Sequence, residues 1–159
     1  MSEEIPANIR AFNLLVLTLF ARLYAKFPLG DDFADSELAV ASLPENAPYD
    51  ETFDRQAVAW GTVTWLEAEG FIRIGSKTLG GDFDDVKLTM KGLTALGSIP
   101  QPLRENEAAD PIISRIKRTL ASGAEKAGAE IVKSIVTALF KIALSYGSGA
   151  SSSGGNIGA

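Results

Sequence analysis

Asp82, Asp84 and Asp85 crowd into the segment GGDFDD, and carboxylates this close together are the usual ligands of a hard cation such as Ca²⁺. The spacing argues against that chemistry. A calcium loop of EF-hand type spreads its ligands over more positions and closes with a Glu, and neither feature is present. The segment reads instead as a solvated hairpin tip. The chain contains no Cys and no His. Cys/His zinc sites and His-dependent nucleophilic catalysis are therefore excluded. A general acid or base would have to be Asp, Glu, Lys or Tyr. No Walker loop, G-x-S-x-G elbow or H-E-x-x-H occurs. Gly75, Gly80 and Gly81 do not open a helix, so they do not read as a phosphate cradle. The expectation is a protein that is not an enzyme, with no cofactor, no metal and no evident small-molecule substrate.

The other chemistry to weigh is contact with DNA. Arg55 and Gln56 are residue types that read base edges, Thr62 lies further along the same segment, and Arg73, Lys77 and Lys87 follow on two expected strands. Affinity for a duplex comes mainly from Lys and Arg neutralising phosphates. Residues 1–100 hold eight basic against fifteen acidic residues, a net charge of −7, and the whole chain carries −5. That field repels DNA. The six residues remain candidates for contact with DNA or with a protein partner, and charge disfavours DNA.

These residues must be positioned by helices and a hairpin. Ile9, Phe12, Val16, Leu19, Phe20, Leu23 and Phe27 recur at helical period. Leu14, Leu15 and Leu17 widen that stripe, so the first helix is expected to be covered on more than one side. Asn8 suits its N-cap. Arg10, Arg22 and Lys26 interrupt the apolar run, which reads as a buried helix rather than a signal peptide or a membrane span. Asp31–Leu43 reads as a second helix with an acidic first turn. A third, from about Glu51 to Glu69, ends at Gly70. Phe71–Thr78 and Val86–Met90 read as paired strands around LGGDFDD, and Lys91–Ser98 as a short closing helix. Trp60 and Trp65 do not share one narrow stripe. One is expected in the core and the other toward a partner.

The stretch Trp65-Leu66-Glu67-Ala68-Glu69-Gly70-Phe71-Ile72, followed by Leu88-Thr89-Met90-Lys91-Gly92-Leu93, resembles the winged helix-turn-helix superfamily. There, "L-x-x-x-G-hydrophobic-hydrophobic" closes the third helix and "L-T-x-x-G" follows the second wing strand. The resemblance spans about residues 9–98, and PadR-like and MarR-like bacterial regulators are similar in outline. It implies a mainly α, α+β winged helix: three helices, a two-stranded hairpin wing, a short closing helix, then a long C-terminal helix. It also implies a third helix that enters the major groove, a use that the acidic charge opposes.

Residues 101–110 read as a linker, 111–146 as one amphipathic helix, and the Gly/Ser-rich segment 147–159 as disordered. The helix carries six cations against Glu125 and Glu130. Its apolar face is Ile113, Ile116, Leu120, Ala124, Ala127, Ile131, Ile135, Leu139 and Ile142. Gly123, Ala124, Ala127 and Gly128 suit close helix–helix packing. Such a helix pairs with a second copy, packs back on its own acidic body, or lies on an anionic membrane surface. The expectation is a cytoplasmic, homo-oligomeric protein-interaction module. A DNA-binding regulator stands second and a membrane-surface protein third.

Overall fold

The computed structural model describes residues 4–97, 111–123 and 128–157, with 146–157 by backbone alone. The fold is α+β and mainly helical, with a small antiparallel sheet. In chain order the elements are α1 (Ala7–Lys26), β1 (Asp31–Ala34), α2 (Asp35–Ala41), α3 (Tyr49–Ala68), β2 (Ile72–Arg73), β3 (Ser76–Lys77), β4 (Asp82–Leu88), α4 (Met90–Ala95), α5 (Ile112–Ala121) and α6 (Ala129–Ile157). The expected linker 101–110 lies outside the described residues.

Helix α1 is the axle of the fold. Leu15, Val16, Leu17, Leu19 and Phe20 are all fully buried, which takes up most of a helical circumference. The reason is its neighbours: α2, α3, α5, α6 and β4 all touch it. The helix starts at Pro6 rather than Asn8, and the Pro6 carbonyl accepts from the N–H groups of Ile9 and Arg10.

The expected second helix is divided. Asp31–Ala34 is a strand, and only Asp35–Ala41 is helical. No local signal in the acidic run distinguishes a helix start from a strand. The strand is imposed by pairing, with Asp31 opposite Val86 and Phe33 opposite Phe83. Tertiary pairing of this kind overrides local preference.

The hairpin also departs from expectation. Asp82, Asp84 and Asp85 are not at its tip. They lie on β4, and the tip is Leu79-Gly80-Gly81, with Gly81 at φ +99°, a three-residue loop closed by a left-handed glycine. The missed cue was alternation: Asp82 and Asp84 face out, while Phe83 between them is fully buried, the pattern of a half-buried strand. β4 is the central strand, with β1 on one side and β2 and β3 on the other. Between the Phe33–Phe83 and Asp31–Val86 pairs β4 has an extra residue. Asp85 takes up the bulge at φ +53°, and its N–H donates to Asp32 Oδ1 at 2.8 Å. A Cβ at Gly30 or at Gly75 would strike Asp85, so the bulge fits only between two glycines.

The two sequence signatures have physical explanations. Gly70, at φ +84°, ends α3 while Phe71 N–H donates to Leu66 O and Gly70 N–H to Glu67 O, a Schellman pairing. Thr89 caps α4 by accepting from Gly92 N–H. Gly92 lets α4 settle on Phe71, whose carbonyl oxygen would lie 2.4 Å from any Cβ there.

The single long C-terminal helix is replaced by two. Gly123 and Gly128 both take φ +88°, so they act as turns rather than as small packing residues within one helix. α5 and α6 pack on each other and on α1, and α6 also packs on α4. Gly147, where the sequence predicts a stop, is continued through, and α6 runs on to Ile157. Ile113, Ile116, Ile135 and Leu139 belong to the same buried cluster as Leu15 and Phe20. One core thus unites the first hundred residues with the C-terminal helices.

Candidate partner-facing surface

Each of the six expected contact residues has a definite place. Arg55 Nη1 donates to Ser42 Oγ at 3.0 Å and to Ser42 O at 3.3 Å, tying α3 to the end of α2. Burial lowers its pKa from the usual guanidinium value, and the nearby Glu51 carboxylate opposes that shift. Gln56 Nε2 donates to Asp35 Oδ1 at 3.0 Å. Thr62 is buried, its hydroxyl donating to Val58 O at 2.8 Å. Arg55 and Gln56 hold α2 against α3, Thr62 bonds back within α3, and the three do not face outward together. Lys77 is paired with Glu67 at 3.0 Å and Lys87 with Asp85 at 3.5 Å. Arg73 is exposed, stands opposite Lys87 across β2 and β4, and has no ion-pair partner among the described residues. The six are therefore not one continuous site.

The expected apolar face of the C-terminal helix is turned inward. Ile113, Ile116, Ile135 and Leu139 are buried, Leu120 and Ile142 are part-buried, and Ile131 alone of the described members is exposed, at 52%. Ala124 and Ala127 lie outside the described residues. Val132, Val136 and Ala143 complete the buried face. Lys117 sits over the Tyr24 ring at 4.9 Å. No helix among the described residues is long and apolar enough to cross a membrane.

What does face outward is a row on α3 that the motif search passed over. Phe53, Ala57, Gly61 and Trp65 follow one another at four-residue spacing and all are exposed, Phe53 by 64% and Trp65 by 42%. Four-residue spacing places them on one ridge of the helix. Beside them Ile9 of α1 is 42% exposed. Asn8, Ile9, Phe12, Val58, Gly61, Thr62 and Trp65 line a shallow groove of about 390 Å³ between the two helices. Carboxylates border the row at its N-terminal end, where Asp50, Glu51 and Asp54 are exposed.

The floor of this surface is a cluster of packed aromatic rings. Trp65 meets Phe12 edge-on with ring centres 5.5 Å apart, and Phe140 of α6 packs on Phe12, Trp65 and Phe71. Trp60 is instead part of the core, stacked on Phe83 at 4.8 Å. Of the two tryptophans Trp65 is the more exposed. The signal that could have found the row was the four-residue spacing of Phe53, Ala57, Gly61 and Trp65.

The remaining features offer less. A cleft of about 720 Å³ between α1, the α2–α3 loop and the end of α5 has Glu45 as the one charged side chain in its lining. No group of three or more acidic side chains among the described residues is placed to hold a metal, and none of their buried side-chain N or O atoms lacks a partner. Asp31 is fully buried between Arg22 and Lys26, receiving hydrogen bonds from both. Burial pushes its pKa up, but the hydrogen bonds and charges of Arg22 and Lys26 outweigh that and hold it below the usual carboxylate value.

No protein-family model matches the chain, and no curated protein or solved structure does either.

Proposed function

We propose that the chain is a non-catalytic protein-interaction module of winged-helix type, and that it engages its partner through the outward face of α3. The order of elements supports the winged-helix part. A strand between the first two helices pairs with the second strand of the hairpin, and α3 leads directly into that hairpin. The exposed apolar row supports the partner part, and it is the observation that carries the reading. A helix that reads DNA presents cations and hydrogen-bonding side chains. This one presents Phe53, Ala57, Gly61 and Trp65, with Asp50, Glu51 and Asp54 beside them. Aromatic side chains on a firm base, next to small residues, suit a protein surface.

A second reading is contact with duplex DNA through the hairpin. One observation favours it: Arg73 and Lys87 face each other across β2 and β4. Two cations supply a small fraction of the phosphate contacts that a specific complex makes.

A photo-crosslinking analogue in place of Phe53, activated in living cells, separates the two. The expected product is a protein adduct. Nucleic-acid adducts, or salt-sensitive and sequence-dependent shifts of duplex DNA that Arg73→Ala abolishes, would put the second reading first.

A further inference from the structure

We propose that the occupant of this surface is a second copy of the chain, the two α3 helices crossing antiparallel at Ala57 and Gly61. This deepens the interaction reading above and rests on it.

Gly61 is the observation that asks for an explanation. A glycine inside a helix destabilises it by roughly 1 kcal/mol relative to alanine. Nothing among the described residues requires one at this position. A Cβ there would meet no atom within 4 Å, and the backbone is not in the left-handed region. The space that the missing side chain leaves open faces outward. An approaching helix backbone is the occupant for which that space matters.

The row around Gly61 matches itself. It runs large, small, small, large: Phe53, Ala57, Gly61, Trp65. Rows at four-residue spacing are the ridges that interdigitate in the commonest class of helix crossing. When two such rows cross antiparallel about a two-fold axis, the small centre of each receives the other, and Phe53 of one copy lies toward Trp65 of the second. Every contact is then made twice, and the pair closes without exposing a further copy of the same surface. Ile9 extends the apolar area on one side of the row.

Charge agrees with this orientation. Asp50, Glu51 and Asp54 crowd the first turns of α3, whereas its other end is close to neutral: Glu67 is paired with Lys77, and exposed Glu69 is offset by exposed Arg73, which has no ion-pair partner among the described residues. An antiparallel crossing brings the carboxylates of one copy toward the near-neutral end of the other, where Arg73 stands, and sets the two helix dipoles antiparallel. A parallel crossing would instead set carboxylates against carboxylates. The C-terminal helices, whose apolar side the sequence had offered for assembly, bury most of that side in their own chain's core.

Sedimentation equilibrium of the full chain tests the proposal, with Gly61→Arg and Ala57→Arg as variants. Gly61→Arg replaces a residue with open space around it, so the far-UV circular dichroism stays intact and the monomer melts no lower than the parent. The expected result is a concentration-dependent dimer whose dissociation constant rises by on the order of 30-fold or more in each variant. A chain that stays monomeric at every concentration overturns the proposal, and so does a dimer indifferent to both substitutions. The Phe53 crosslink distinguishes this failure from that of the broader reading. An adduct to a different protein from a monomeric chain leaves the interaction role standing and removes the self-pairing. No protein adduct at all removes both.

Discussion

Phe140 of α6 stands edge-on to Trp65 of α3, with ring centres 5.8 Å apart. Phe140 also packs on Phe12 and Phe71. One side chain from the C-terminal helix therefore bridges α1, α3 and the chain leading into β2. Phe140→Ala is expected to destabilise the fold by about 3 kcal/mol, the low end for Phe→Ala because the ring is only part-buried. Urea unfolding followed by circular dichroism measures this. In a Trp60→Phe background the emission of Trp65 should also shift to longer wavelength, since the tryptophan loses a neighbour that shields it. A variant as stable as the parent would mean that α6 is not docked as described.

Asp31 gives the fold a defined acid sensitivity. Its folded-state pKa lies below the usual value because Arg22 and Lys26 both donate to it. A depressed carboxyl pKa contributes stability that is fully present above the unfolded value of about 3.9 and is lost as pH falls through the folded one. Asp31→Asn leaves Arg22 and Lys26 without their buried counter-charge and should cost about 2–3 kcal/mol at neutral pH. This is less than for a fully buried pair, because Lys26 is half-exposed and regains water. Urea titrations at a series of pH values should show the gap between parent and variant narrowing below about pH 4. A gap that stays constant down to pH 2 would contradict the assignment.

Two glycines in helices should answer alanine substitution with opposite signs. Gly61→Ala adds a methyl group in open space and should stabilise the monomer by about 0.5–1 kcal/mol. Gly92→Ala puts a Cβ 2.4 Å from the Phe71 carbonyl oxygen. α4 must then lift off the hairpin, and the loss should exceed the propensity gain by 1 kcal/mol or more, roughly what overpacking does in a tight core. Thermal melts of the two variants side by side are sufficient.

The bulge at Asp85 calls for a residue that tolerates φ +53°. Asp85→Asn and Asp85→Gly should be nearly neutral. Asp85→Val, β-branched and held in the left-handed region, should be destabilised by about 1–2 kcal/mol. Equal stability for the valine and asparagine variants would argue that the extra residue of β4 lies elsewhere.

The parts of the fold that were legible in the sequence are those governed by local signals. The apolar period of α1 and the Gly70 stop each rest on residues close in the chain, and the same is true of α4, which starts at Met90 rather than at Lys91. The parts that were not legible depend on distant partners. Asp31–Ala34 is a strand because Val86 and Phe83 lie beside it, and in DDFADSEL nothing marks the change of state. Gly123 and Gly128 were recognised as meaningful, but small size and left-handed backbone predict opposite structures from the same residue. Among candidate contacts, Arg55 and Gln56 were chosen for side-chain chemistry, and that same chemistry lets them tie α3 to Ser42 and Asp35. A polar residue on a helix does not announce whether its partner is internal. The row from Phe53 to Trp65 was harder still, since an exposed apolar residue and a core residue look identical before the fold is known.

The aromatic junction also bears on the order of events at the ribosome. Phe12 leaves the tunnel on the order of ten seconds before Phe140 at ordinary rates of synthesis. Throughout that interval Leu15, Leu19 and Phe20 lack the helices that finally enclose one side of α1. The nascent chain thus carries an adhesive helix that its own last third must cover, and a cell that makes this protein has to keep that helix from other company until α6 arrives.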